Sequence, residues 1–137
     1  MASKITDNLY LGTYKDALNL TFLQDHDITH IVNASKERNF YPHRIKYRSI
    51  YIDDTPESDI SAYFEPTSKF IDKAICASGN VLVHCMAGIS RSSTLVVAYL
   101  VSKKSMTLDA ALELVREKRP IVEPNSGFME QLKKNFC

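Results

Sequence analysis

The sequence predicts a single α/β domain with a central, mostly parallel sheet flanked by helices. Two observations carry that expectation. Short apolar runs of strand character alternate along the chain with stretches of helical spacing, the pattern of a layered α/β architecture. The run "NVLVH", ending at His84, is continuous and apolar, as a strand buried on both faces of a parallel sheet must be. It feeds through a short loop into "SRSSTLVVAYLVSKK", which has helical length and no breaker. At 137 residues the chain can bury a core unaided, so one domain spanning residues 1–137 is expected.

In chain order, "NLYLG" reads as a short strand, and Asp16 to His26 as a helix with Ala17, Leu18, Leu20, Phe22 and Leu23 as its apolar members. "THIVNA" and then "IKYRSIYID", Ile45 to Asp53, read as strands. From Ser61, a plausible N-cap, helical spacing runs through Tyr63, Phe64, Phe70, Ile71, Ala74 and Ile75. Pro66 would remove a hydrogen bond from that helix, which predicts a kink or a later start. Cys76 is expected in the core on the same helix. Thr107 can cap a last long helix, Leu108 to Arg119, which Pro120 stops.

Composition narrows the function classes. With 45% hydrophobic and 24% charged residues, neither a disordered nor a fibrous chain is indicated. A formal charge of +1 gives no general attraction to nucleic acid or anionic membrane, so any anion preference must be local. Cys76, Cys85 and Cys137 form neither a disulfide framework nor a zinc pattern, which suggests a reducing compartment. The N-terminal "MASKITDNLYLG" is not a secretory signal, Ala2 excludes a myristoylation pattern, and Cys137 falls too late for a prenylation box. A soluble monomer in the cytoplasm or nucleus, without membrane anchor or nucleic-acid partner, is the expectation.

The chemistry concentrates in "HCMAGISRS", His84 to Ser92. A strand, a tight loop and a helix N-terminus aim backbone N–H groups and the positive end of the helix dipole at whatever the loop holds. A cysteine at the base of such an anion cradle is favoured as thiolate and becomes a nucleophile. Arg91, six positions after Cys85, can close the cradle with a planar fork of donors matched to phosphate. Ala87 and Gly88 let the backbone approach an oxyanion. A structural cysteine beside a chance arginine is the competing reading of either residue alone, and the density of the pattern argues against it.

The motif HCxxGxxRS resembles the active-site loop of the cysteine-dependent protein tyrosine phosphatases, and "HCMAGISRS" the dual-specificity branch. "LYLG", "ITHIVNAS", "DDT", "SAYFE" and "RPIVEPNSGFMEQL" are similar to that branch in order and spacing, over nearly the whole chain. The resemblance implies a phosphatase-type fold and hydrolysis of phosphotyrosine and phosphoserine or phosphothreonine on protein substrates, without metal or cofactor. Cys85 would attack phosphorus, while Arg91 and the loop residues Met86, Ala87, Gly88, Ile89 and Ser90 bind the phosphoryl oxygens. Ser92 would donate to the cysteine sulfur, or cap the helix. His84 would support the loop from behind, and Asn125 would brace it or simply cap a helix.

The reaction also needs an acid and later a base, for which a carboxylate on a movable loop is suited. "YIDDTPESDIS" offers Asp53, Asp54, Glu57 and Asp59; the resemblance selects Asp54, 31 residues before Cys85, with Asp53 as runner-up. An ordinary acidic turn is the competing reading. The basic run containing Lys36, Arg38, Arg44, Lys46 and Arg48 reads either as a pocket rim attracting acidic peptide or as a solvated face. The small size implies a shallow pocket, since tyrosine-specific relatives use larger domains, and the absence of lysine among Met86, Ala87, Ile89 and Ser90 disfavours polyphosphate substrates. Alternatives are a non-catalytic phosphate-binding module, a low-molecular-weight phosphatase or arsenate reductase, and a rhodanese-like sulfurtransferase. The first would have lost Cys85, Arg91 or the acid, the second places its loop near the N-terminus, and the third does not require the Arg91–Ser92 pair.

Overall fold

The strand that ends in Cys85 is the middle of the sheet. The computed structural model describes residues 1–137. Five strands, β1 (Ser3–Thr6), β2 (Leu9–Thr13), β3 (His30–Asn33), β4 (Lys46–Ser49) and β5 (Val81–Cys85), lie in the order β1-β2-β5-β3-β4. Only the β1–β2 pair is antiparallel; β5 runs parallel to β2 and β3, and β3 parallel to β4. Because β2 and β3 are consecutive yet sit on either side of β5, the chain switches direction there. A crevice at the carboxyl ends of the strands is where such sheets bind ligands. Thr13 pairs with Cys85 and Asn33 with His84 at that end.

Side chains alternate across the sheet, as strand geometry requires. Tyr10, Ile31 and Leu82 face α1 (Tyr14–Leu18) and α2 (Leu20–Asp25), packing with Ala17 and Leu23. Leu9, Leu11, Val32, Val81, Val83 and Cys85 face the larger core, built with α3 (Phe64–Cys76), α4 (Arg91–Lys104), α5 (Leu108–Lys118) and α6 (Ser126–Phe136). Helix α4 is buried from Ser92 to Leu100. The strand that carries His84 and Cys85 is thus buried along its whole length, and the helix that follows is buried over its first two and a half turns. No helix is long and apolar enough to cross a membrane.

The predicted α/β class and mostly parallel sheet are as observed, with four local departures. The helix expected over Asp16–His26 is two, because Asn19 adopts an extended conformation and caps α2 by accepting from the Phe22 N–H. The strand expected over Ile45–Asp53 ends at Ser49, since β3 stops at Asn33 and offers no further partner beyond a bond from the Ile50 N–H to the Asn33 carbonyl. Ser61 is not an N-cap: it opens a 3-10 turn, Ser61–Tyr63, and its N–H donates to Asp59 and Gln131. The helix starts later, at Phe64, one of the two outcomes Pro66 predicts, and leaves the proline in the first turn, where its missing N–H has no intrahelical partner to lose. Cys76 is exposed rather than in the core, being off the Ile71–Ala74 stripe at the end of α3.

Thr107 does cap the next helix, accepting from the Ala110 N–H. That helix ends at Lys118, with Arg119 as its C-cap. Two elements carry too little sequence signal to be predicted. β1 contributes a single buried residue, Ile5, and α6 opens on Ser-Gly, a poor helix start by propensity alone.

Candidate active site

The backbone between β5 and α4 is arranged with its carbonyls outward. The Met86 carbonyl accepts from the Tyr14 N–H at 3.4 Å. Arg119 donates to the Ala87 carbonyl at 3.3 Å and the Gly88 carbonyl at 2.9 Å. The Ile89 carbonyl accepts from the Glu123 N–H at 2.9 Å and from the Ser93 hydroxyl at 2.6 Å. The Ser90 carbonyl accepts from the Ser93 and Thr94 hydroxyls. In contrast, none of the N–H groups from Met86 to Ser90 donates a hydrogen bond to any protein atom. In a planar peptide the N–H points opposite to the carbonyl of the residue before it. Tying down consecutive carbonyls on one side therefore turns consecutive N–H groups to the other, which makes an anion nest.

Side chains complete it. The Cys85 sulfur lies buried at the end of β5, 3.0 Å from the Ser92 hydroxyl on the first turn of α4. Arg91 donates through Nη1 to the Ile52 carbonyl at 3.1 Å, while its Nε is buried without a partner. An unpaired buried donor costs about 1–3 kcal/mol, which an oxyanion in the nest would offset. Gly88 takes φ = 68°, a left-handed conformation that a side chain would strain. His84 is buried on the opposite face of the sheet, with Nδ1 3.3 Å from the Cys85 carbonyl oxygen. Burial pushes its pKa down to about 4, against the opposing pull of that carbonyl and the Asp16 charge, so the ring is neutral near physiological pH.

The acidic stretch lies beside the nest. Ile52 is the residue whose carbonyl Arg91 holds, and Asp53 and Asp54 follow it. The two carboxylates have different company. Lys36 Nζ sits 2.6 Å from Asp53 and, by hydrogen bond and charge, holds that carboxyl below the usual range; Arg91 adds to the effect. Asp54 accepts from the Asn125 amide at 2.9 Å. Asn125 also caps α6 by accepting from the Phe128 N–H, and its own N–H donates to the Ser90 hydroxyl at 2.9 Å. Asn125 thus caps α6 and links the acidic stretch, through its side chain, to the cysteine loop, through its backbone N–H.

That stretch also touches α6. Pro56 packs directly against Gly127 of α6, and Gln131 accepts from the Ser61 N–H while donating to the Ser58 carbonyl. The basic run does not form one rim either. Lys36 pairs with the acidic stretch; Arg38 stacks on Phe40, Arg44 and Lys46 line a concavity with Thr29 and His30 at the far end of the sheet, and Arg48 on β4 has its Nε buried without a partner. Arg119, Ser93, Thr94 and Gln131 join the site without a signal singled out in the sequence, and Lys36 enters it as the partner of Asp53 alone. Ser93 and Thr94 directly follow the motif, where their hydroxyls donate to its carbonyls three to four residues back, whereas Arg119 and Gln131 act across long sequence separations. No group of three or more His, Cys, Asp or Glu side chains converges as a metal site.

A cysteine ending the central parallel strand, followed by a loop of free amides and by an arginine with an unmet buried donor, is the arrangement of the cysteine-dependent phosphatases. The family model described as "Dual specificity phosphatase, catalytic domain" matches residues 9–136. The chain belongs to that family and is a dual specificity protein phosphatase catalytic domain. It is 41% identical over 133 residues to dual specificity protein phosphatase 1B of Arabidopsis thaliana, covering 96% of this chain and 80% of that one. It is 47% identical over 134 residues to MAP kinase phosphatase with leucine-rich repeats protein 3 of Dictyostelium discoideum, covering 96% of this chain but only 16% of that protein. The crystal structure of DUSP15 superimposes with a TM-score of 0.93 at 38% identity, over 97% of this chain and 85% of that one.

Proposed function

We propose that the protein hydrolyses phosphotyrosine and phosphoserine or phosphothreonine on protein substrates through a cysteinyl-phosphate intermediate. The observation that carries this reading is the run of free N–H groups from Met86 to Ser90 in the loop between Cys85 and Arg91. These donors, with Arg91, bind the three non-bridging oxygens and meet the charge that develops on them in the transition state. Cys85 Sγ attacks phosphorus, the P–S bond forms, and the bond from phosphorus to the substrate oxygen breaks. Asp54, protonated, gives its proton to that leaving oxygen. In the second step Asp54, now a carboxylate, takes a proton from water, whose oxygen attacks phosphorus. The P–S bond breaks, orthophosphate leaves, and the Ser92 hydroxyl donates to the departing thiolate.

The environments of the adjacent carboxylates support Asp54 as the acid. An acid must hold a proton at working pH, and Lys36 and Arg91 favour the ionised form of Asp53. The breadth of substrate is supported by the shape of the surface. No concavity of the molecule is lined by a residue between 85 and 92, in keeping with a shallow nest open to short as well as long phosphorylated side chains.

Hydrolysis of a small aryl phosphate and of both phosphotyrosine and phosphothreonine peptides tests the reading. Turnover should persist in EDTA, stop with vanadate, and fall by about 10⁴-fold or more in Cys85→Ser, as expected on loss of a nucleophile, while that variant still binds phosphopeptide. Full activity in Cys85→Ser, or binding without turnover by the unmodified protein, would overturn it.

A further inference from the structure

Arg119 is a buried arginine with no carboxylate partner. It follows α5, far in sequence from the motif, and is 6% exposed. No acidic side chain lies within ion-pair distance of it. All its hydrogen bonds go to neutral oxygens. Nε donates to the Gly88 carbonyl at 2.9 Å and Nη2 to the Ala87 carbonyl at 3.3 Å. Nη1 donates to the Met1 carbonyl at 2.7 Å and the Ser3 hydroxyl at 3.0 Å. A buried guanidinium held this way is expensive unless a negative charge is nearby. Its pKa is lowered by burial, with Asp16 and Cys85 as the opposing influences.

Two features give this arrangement a purpose. The fork spans consecutive carbonyls, so it sets the rotation of two successive peptide planes, those whose N–H groups belong to Gly88 and Ile89. The fit is also close: a methyl group on Gly88 would lie 2.7 Å from Arg119 Nη2 and 2.7 Å from the Gly12 carbonyl oxygen. The loop is thereby clamped from behind between Arg119 and β2.

We propose that Arg119 is a positioning residue of the phosphate site: by gripping the Ala87 and Gly88 carbonyls it aims the Gly88 and Ile89 N–H groups at the oxyanion and places a second buried positive charge beneath it. This rests on the reading of the nest as an oxyanion site. Arg91 would touch the phosphoryl group from the front, and Arg119 would act only through the backbone and its field. The bonds to Met1 and Ser3 extend the clamp to β1, which otherwise has no part in the site.

Orthovanadate serves as the probe, with Arg119→Met and Arg119→Lys compared with the unmodified protein. Vanadate affinity and kcat/KM for an aryl phosphate should both fall, by about 10- to 100-fold in Arg119→Met, as for a misplacement of about 1 Å in a site. Arg119→Lys keeps the charge but cannot span both carbonyls, so it should fold and recover only part of the loss. In amide NMR spectra, the Gly88 and Ile89 signals should move on vanadate addition in the unmodified protein and move less in the variants. Variants that melt at lower temperature yet, while folded, bind vanadate and turn over like the unmodified protein would reduce Arg119 to a structural clamp and overturn the proposal. If Arg119→Met does not fold, Arg119→Lys decides the matter by the same measurements. Failure of the unmodified protein to bind vanadate would instead sink the oxyanion-site reading itself.

Discussion

The cysteine loop and the acidic stretch supply the two halves of one reaction and are built on opposite plans. The first is nine contiguous residues, from His84 to Ser92, enclosed by β5 and α4, with its carbonyls tied to donors behind it. The second is open, its Asp53 side chain 65% exposed, and it is held by side chains from remote segments: Lys36, Asn125 and Gln131. An oxyanion site needs several donors fixed relative to one another before substrate arrives, because reorganisation during the reaction would forfeit their stabilisation. A proton donor needs only to come within reach of one oxygen. The tolerance of each task is reflected in how tightly each region is built.

This difference can be broken or sharpened by substitution. The largest effect should come from Asp54→Asn, which removes the acid and leaves the nest. We expect kcat to drop by about 10²–10⁴-fold for alkyl phosphates, much less for aryl phosphates with good leaving groups, and vanadate affinity to stay unchanged. If Asp53→Asn gives that pattern and Asp54→Asn does not, the assignment of the acid is reversed.

Gly127→Ala comes next. A methyl there would run into the Pro56 backbone and displace the acidic stretch from α6. We expect kcat to fall by about 10-fold or more, the scale of a modest misplacement, with oxyanion binding intact. Equal loss of vanadate affinity would show that the two regions are not independently held.

His84 tests the buried side through stability. Its folded-state pKa of about 4 lies below the ordinary 6.5. Between these values the unfolded chain binds a proton that the folded protein refuses. The contribution is therefore complete above 6.5 and lost as pH falls toward 4, by on the order of 3 kcal/mol in total. Denaturant titrations at about pH 7 and about pH 4.5 should show a smaller acid-induced loss in His84→Asn than in the unmodified protein. An unchanged difference would mean that the imidazole is not held neutral.

The smallest effect belongs to Lys36→Met. The Lys36–Asp53 pair is exposed, and such pairs contribute little and are screened by salt. A fall in kcat/KM of about two- to fivefold, shrinking as salt is raised, is expected. A loss as large as that of Gly127→Ala would make the pair a principal anchor of the acidic stretch.

The same contrast explains what could be read from the sequence. The parallel strand, the cysteine, the arginine and the helix behind them are contiguous, so "NVLVHCMAGISRS" displays its own geometry. Thr107 was equally legible, because a cap acts three residues away. The brace from Asn125 to Asp54 spans 71 positions and the grip of Arg119 on Gly88 spans 31, and neither leaves any local pattern. Asn19 split a helix that apolar spacing alone would have continued, since a capping side chain competes with the helical backbone at that one residue. Cys76 is the opposite case: cysteine is usually buried, yet its position at the end of α3 leaves it exposed.

The central claim is that Cys85 takes the phosphoryl group while the amides above it hold the oxygens. The most direct measurement mixes Asp54→Asn with an aryl phosphate bearing a good leaving group, quenches in acid, and maps the phosphorylated residue by mass spectrometry. Removal of the base for the second step should let the intermediate accumulate, with one phosphoryl group on the peptide containing Cys85. Release of phenol with no phosphoryl group on the protein, or with that group on another residue, would contradict the account.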